Sequence, residues 1–255
     1  NLFPSGDDIG HRPMHANDLD IFGQGSLFHL LNRTTTHHGK LALATLLNRP
    51  GTAIPGIVNR QEAIKVLASQ PGSRQMITAH GLLQEEKEGT IDDVASWIKN
   101  ENKMAGKTWL NIARVVLPVI SIGGLIYYLD SNNPIPVGIG VVLCWAVVGM
   151  FVKYIHVQHQ LTGKKQAILD QYASILKHFY NAEKGSSVLL NQLQATSREA
   201  HHEIARLSKL SALLDQRLNL LVNFFLNSFL MYDVHCMIAL EKWKEKNKNH
   251  FDNWI

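Results

Sequence analysis

The 255-residue sequence has only two cysteines, Cys144 and Cys236, and both lie in apolar runs. A disulfide-stapled miniprotein is therefore excluded, and the thiols read as small hydrophobes in a reducing compartment. Charge is also scarce, at 18% of residues with no Lys/Arg block. The formal net charge of +4 thus does not by itself indicate an anionic partner. Period-two alternation between turn residues is absent from the first part of the chain, which leaves no strand signal and predicts an all-α fold. The N-terminal residues lack the basic start and apolar centre of a signal peptide. A hydrophobic share of 45% excludes disorder and a polytopic transporter, but leaves room for one or two concentrated apolar segments.

Residues 1–17 mix Gly, Pro, Asp and His without a period and read as an irregular lead-in. The start at Asn1 suggests an internal piece of a longer protein. From Leu27, the positions Leu27, Leu30, Leu31 and then Leu41, Leu43, Leu46, Leu47 fall at helical spacing. Thr34-Thr35-Thr36 between them offers an N-cap, giving two short helices. Ile57–Ser69 forms a further amphipathic helix, and Ser73–Lys87 another that ends at Gly89. Thr90 with Asp93 resembles a capping box for the next helix. Val157–Asn181 is amphipathic, and Ser197–Lys248 reads as one long helical stretch able to act as a lever. Asn219, Asn223 and Asn227 recur every fourth residue, which marks Leu218–Leu240 as a helix packed on protein and not as a further membrane span.

The middle of the chain differs. Val115–Leu129 and Pro136–Val152 carry no charge, and Asp130-Ser131-Asn132-Asn133-Pro134 separates them as a turn. This is a helical hairpin whose limits are Val115, Leu129, Val137 and Val152. At ~1.5 Å per residue the two runs cover about 22 and 25 Å, short of a hydrocarbon core of about 30 Å unless Trp109, Tyr127, Tyr128 and Tyr154 anchor the ends. Lys103, Lys107, Arg114, Lys153, Lys164 and Lys165 flank the base, whereas the tip has Asp130 and no cation. That asymmetry puts the tip away from the cytoplasm. The competing reading is a pair of helices buried in a soluble bundle.

No motif for catalysis survives. Gly106-Lys107-Thr108 matches the end of a phosphate loop, but the first glycine of that motif is replaced by Glu101 and no strand precedes it. Gly39-Lys40 and Gly163-Lys164 fail in the same way. The thirteen histidines include two adjacent pairs, His37-His38 and His201-His202, that point about 100° apart on a helix. His156 and His159 have no cysteine or carboxylate beside them to complete a metal site. Glu85, Glu86 and Glu88 read as an exposed acidic helix end. No cofactor is expected within the chain.

The stretch DLDIFGQGSLFHLLNRTTTHHGKLALATLLNRP (Asp18–Pro50), followed by Asn59-Arg60-Gln61-Glu62-Ala63, resembles the start of the core domain of the MutS DNA mismatch repair family. The likeness includes turn and polar positions, Asn32, Arg33, Thr34, Thr36, Gly39, Arg60 and Gln61, as well as leucines. Thr36 can cap the helix entering at His37, while Arg60 and Gln61 offer donors to neighbouring backbone; all seven read as structural pins. Phe229–Trp243, with Asp233, His235, Leu240, Glu241 and Trp243, resembles the helix that leads such proteins into a C-terminal ATPase. The organisation expected is a MutS-like core over 18–105, the apolar hairpin over 106–160 where the family inserts its clamp, and lever helices over 161–255. The resemblance implies ATP and Mg in an ATPase domain outside this chain, double-stranded DNA and that ATPase as partners, and a homodimer in the full-length protein. The hairpin adds a membrane contact through 110–155, with the protein cytoplasmic and tethered to the inner face of the cytoplasmic membrane. Two functions follow: a core and lever that couple the ATPase to DNA binding, without enzymatic activity of its own, or a membrane-anchored scaffold derived from such a core.

Overall fold

The computed structural model describes residues 3–9, 18–48, 53–84, 86, 89–162, 165–183 and 185–254. Among these every regular element is helical, as expected: eleven α-helices and no strand. They are α1 (Leu27–Leu31), α2 (His37–Asn48), α3 (Ile54–Ala68), α4 (Pro71–Gly81), α5 (Thr90–Lys99), α6 (Thr108–Ser131), α7 (Ile135–Thr162), α8 (Gln166–Asn181), α9 (Val188–Asp215), α10 (Leu220–Leu230) and α11 (Tyr232–Asn247). Contacts divide the chain into two units. One comprises Asn1–Thr90, Asp170–His202 and Trp254–Ile255; the other comprises Ile91–Leu169 and Glu203–Asn253.

The first unit is built around an aromatic corner. Phe28 is fully buried with Ile9, Ile21, Phe22 and Ala44, and the Phe22 and Phe28 rings lie 5.4 Å apart. Gly6 makes this corner possible, since it adopts φ +80 and a Cβ there would come 2.8 Å from the Phe28 ring. The Ser26 side chain accepts the His29 amide and opens α1. Thr36 does the same for α2, accepting the Gly39 N–H at 3.1 Å, as its place before His37 predicts. The lead-in is seen only at residues 3–9, and the rest of it lies outside the described residues.

Several boundaries differ from the sequence reading. The helix expected over Ser73–Lys87 starts at Pro71, whose fixed φ suits a first helical turn, and stops at Gly81. It stops there because Gln171 Nε2 donates to the Gly81 carbonyl, and a Cβ at Gly81 would sit 1.8 Å from Thr35 Oγ1. Glu86 is no solvated helix end; it is half-buried and accepts the His37 amide at 2.9 Å and the Tyr172 hydroxyl at 3.0 Å. Glu85, Lys87 and Glu88 lie outside the described residues.

The helix expected over Val157–Asn181 is two, since α7 runs on to Thr162 and α8 begins at Gln166. The single lever expected over Ser197–Lys248 is three helices. A 3-10 turn at Gln216–Leu218 ends α9, and Asn219 then caps α10 by accepting the Val222 amide. At Met231, which takes φ +47, the chain bends by 81° into α11. The asparagine series is therefore part cap and part core. Asn227 is fully buried and holds the bend, accepting the Asp233 amide at 3.0 Å and donating to Asn223.

Helix α11 is buried nearly all round, which explains its mixed sequence. Trp243 and Lys244 are almost inaccessible, and the Trp243 indole donates to the Glu203 carbonyl at 3.0 Å. Glu203 is held below the usual carboxylate range. Its burial opposes this, but hydrogen bonds from Lys246 and Asn247 outweigh that effect. Burial likewise pushes the Lys244 ammonium down from its usual value, although its Nζ donates to the Asn100 carbonyl and lies 5.0 Å from the Trp97 ring.

Candidate functional site

The hairpin is the feature that departs most from an ordinary helical core. Helices α6 and α7 have 24 and 28 residues, or about 36 and 42 Å at ~1.5 Å per residue. The tip is closed locally. Asn132 takes a left-handed conformation, its N–H donating to the Tyr128 carbonyl, and Asn133 Oδ1 accepts the Ile135 amide. The two helices approach through small residues. A Cβ on Gly124 would lie 2.7 Å from the Val137 amide nitrogen, and one on Gly140 would lie 2.6 Å from Ser121 Cα. Close backbone contact over Gly and Ser is the geometry by which helices associate where no water drives them together.

Helix α10 packs against both. Ser121 Oγ donates to the Ser228 carbonyl at 2.8 Å and the Trp145 indole donates to Ser228 Oγ at 3.0 Å. These bonds satisfy polar groups inside the three-helix contact. The outward faces are the reverse. Val119, Ile126, Leu129, Ile135, Ile139 and Val142 are exposed on the hairpin, as are Leu220, Leu221, Phe224 and Phe225 on α10. Only 17% and 28% of the apolar windows of α6 and α7 are buried, and both helices are long and apolar enough to cross a membrane. A soluble protein rarely displays an apolar surface of this extent.

Of the four residues that delimit the hairpin in sequence, Val115, Leu129 and Val152 are exposed and Val137 is half-buried against Gly124. The exposed apolar band nevertheless extends further on α6, from Trp109 to Leu129, and on α7 runs from Ile135 to Val152, where the exposed Lys153 ends it. That is about 30 and 26 Å, against a hydrocarbon core of about 30 Å. Arg114 within the α6 band is half-buried, with its Nε buried and its carbonyl accepting from His235 Nε2 at 2.9 Å.

A buried carboxylate holds the base. Glu241, 1% exposed, accepts the amides of Lys103 (2.8 Å), Met104 (2.9 Å) and Ala105, and the Tyr154 hydroxyl at 2.6 Å. Asn102 Nδ2 donates to the Glu241 carbonyl at 3.2 Å. Consecutive amides turned inward form an anion-binding nest. In the turn leading to Gly106-Lys107-Thr108, the protein's own side chain fills that nest. The indole of Trp97 donates to Gln158 at 2.6 Å and ties α5 to α7. Glu241 stood in the sequence only as one member of the Phe229–Trp243 likeness; its role had no local signal, since its donors lie 87 to 138 residues earlier.

The motif residues of the first unit form a separate polar knot. Asn32 is fully buried; its Nδ2 donates to the Pro4 carbonyl at 2.9 Å and its Oδ1 accepts the Thr34 amide and hydroxyl at 3.0 and 2.7 Å. The Arg33 guanidinium donates to the Asn32 carbonyl and covers the Phe3 ring. Gly39 fits beneath Thr36, where a Cβ would come 2.9 Å from Oγ1. The structure brings Asn32, Arg33, Thr34, Thr36 and Gly39 together, whereas Arg60 and Gln61 lie exposed on α3.

The histidines are dispersed. His80 and His178 stack at 4.5 Å, His159 pairs with Asp215 at 2.7 Å, and His201 bonds the Ala173 carbonyl. Among the described residues no cluster of His, Cys, Asp and Glu fits a metal ion.

An all-helical scaffold with a polar turn at Asn32–Gly39 and an apolar hairpin inserted within it is thus the class that the structure defines. The family model for MutS domain III matches residues 14–224, and the chain belongs to that family, as a MutS-related protein. The match runs through the hairpin and stops short of Phe229–Trp243. No curated protein and no solved structure matches the chain.

Proposed function

We propose that this chain is the core of a MutS-related protein anchored in a membrane by α6 and α7, with the hairpin standing where its relatives carry a DNA clamp. The observation that carries the reading is the outward face of the hairpin, an apolar band of membrane thickness left uncovered by the protein's own helices. The flanking lysines put the base on the cytoplasmic side and the Asp130 tip on the other. In this arrangement the core stays at the inner face of the cytoplasmic membrane. It serves a C-terminal ATPase, where ATP and Mg would bind, and joins a second copy as MutS-related proteins in general do.

Replacing Ile122 and Val142 with Asp tests the anchor. Both side chains are exposed, at 38% and 66%, so a water-soluble protein would tolerate the change within about 0.5 kcal/mol. In lipid each Asp near the helix centre opposes insertion by about 3 kcal/mol. The expected result is transfer of the double variant from the floated vesicle fraction to the soluble fraction. Unchanged flotation, or a wild-type chain that never floats, rejects the anchor.

A second reading, a lever that couples an ATPase to duplex DNA in mismatch repair, draws support from the family match. The 28-residue α9 is the element for it, not a single rod reaching Lys248. Duplex binding that weakens steeply between low and moderate salt would favour this function. Its absence in a membrane-inserted chain favours the scaffold.

A further inference from the structure

At the base of the hairpin a groove of 680 Å³ opens between the loop before α6 and the lower half of α7. Its floor is apolar and aromatic, with the exposed Met150 and Val157 of α7, and the buried Phe151 and the Tyr154 ring beside them. Its rim is cationic. Lys103, Lys107 and Lys153 all line it and all are exposed. The Lys107 ammonium is held 5.2 Å from the Phe151 ring and the Lys103 ammonium 5.6 Å from the Tyr154 ring, which fixes both at the mouth. Among the described residues none of the three ammonium groups pairs with a carboxylate. One carboxylate, Glu101, shares the rim. Among the described residues the nearby Glu241 forms no ion pair with them; its oxygens accept backbone amides and the Tyr154 hydroxyl.

We infer that this groove is a binding site for an anionic phospholipid, with the headgroup phosphate among Lys103, Lys107 and Lys153 and an acyl chain along Met150. The inference rests on the membrane reading above and adds a lipid preference to it. Three observations select a lipid over a soluble anion. The cationic rim stands at the end of the apolar band, near Trp109, where headgroups would lie. The floor of the groove is continuous with the surface that would face acyl chains. The opposite end of the hairpin has Asp130 and no cation, so the site exists on one side only.

The test reconstitutes the full chain into vesicles of equal phosphatidylcholine and phosphatidylglycerol content. Flotation is scored first, then retained lipid is counted by native mass spectrometry after mild detergent extraction. A juxtamembrane lysine contributes about fivefold to anionic lipid affinity, so the wild-type chain should retain phosphatidylglycerol over phosphatidylcholine by about tenfold or more. The K103Q/K107Q/K153Q variant should float like wild type, since all three side chains are exposed, and its preference should fall to near parity. Equal retention of the two lipids by a floating wild-type chain overturns the site but leaves the anchor standing. A triple variant that keeps the preference also overturns it. Displacement of the bound lipid by millimolar inorganic phosphate would show a plain anion site and overturn the lipid assignment. A chain that does not float defeats the membrane reading and the site with it.

Discussion

The Asn32–Gly39 turn and the α6–α7 hairpin solve opposite problems. In the turn, polar side chains are hidden. Asn32 is sealed from solvent and uses its amide to organise Pro4 and Thr34 around a buried Phe28. In the hairpin the helices meet near the tip through Ser121, Gly124, Gly140 and Cys144, and Val119, Ile126, Leu129, Ile135, Ile139 and Val142 face out, while Leu110, Val147, Val148, Phe151 and Ile155 are buried toward the base. The turn therefore behaves like the interior of a water-soluble protein, where each buried polar group must find a partner. On the membrane reading proposed above, the hairpin's outward face has an apolar solvent, and close packing of small residues joins its helices near the tip. One chain would then carry the sequence rules of two solvents.

The sharpest break of this contrast is at the base, where the two rules meet. Glu241→Ala removes the acceptor of three backbone amides and of Tyr154. It should cost about 3–5 kcal/mol by leaving buried donors unmet, read as a lower unfolding midpoint in detergent. Asn32→Ala should come next, at about 2–3 kcal/mol, because the Thr34 amide loses its partner inside the protein. Gly124→Ala should cost about 1–3 kcal/mol, since the new Cβ meets backbone of α7 that cannot swing aside as a side chain would. If the hairpin instead packed loosely, that variant would match wild type in the same melt.

Smaller effects sharpen the comparison. Burial, and then His80 and Lys177, holds the His178 imidazole below its ordinary value of 6.5. The unfolded chain accordingly takes up that proton first as pH falls, so stability is constant above pH 6.5 and declines below it. A melt series should show this slope, and His178→Gln should flatten it. Arg60→Ala and Gln61→Ala should fall within about 0.5 kcal/mol, as expected of exposed helix positions. A loss of 2 kcal/mol or more would restore them as pins of the core.

The motif turn was legible because its bonds are local: Thr36 to Gly39 and Asn32 to Thr34 span three and two residues. Resemblance and capping chemistry therefore pointed to the same place. The hairpin was legible from its two uncharged runs, but its length was not. Arg114 reads as an end in the sequence, but the exposed apolar residues of α6 continue past the half-buried Arg114 to Ile112 and Trp109. The lever misled for the same reason in reverse. Spacings of three and four run on through Leu218 and Met231, and neither the 3-10 turn nor the bend has a glycine or proline to announce it.

The sequence by itself determined the all-helical class, the family, the capped entry to α2 and the apolar hairpin. Each depends on neighbours within a few residues or on composition along a run. Only the tertiary structure decided that Glu241 fills the nest before α6, that Lys103, Lys107 and Lys153 rim one groove, and that Val119, Ile126, Ile139 and Val142 of the hairpin face outward while Val147, Val148 and Ile155 face in. Those facts join residues up to 138 positions apart. Periodicity states which side chains share a face of a helix, but what that face meets is set by the rest of the chain.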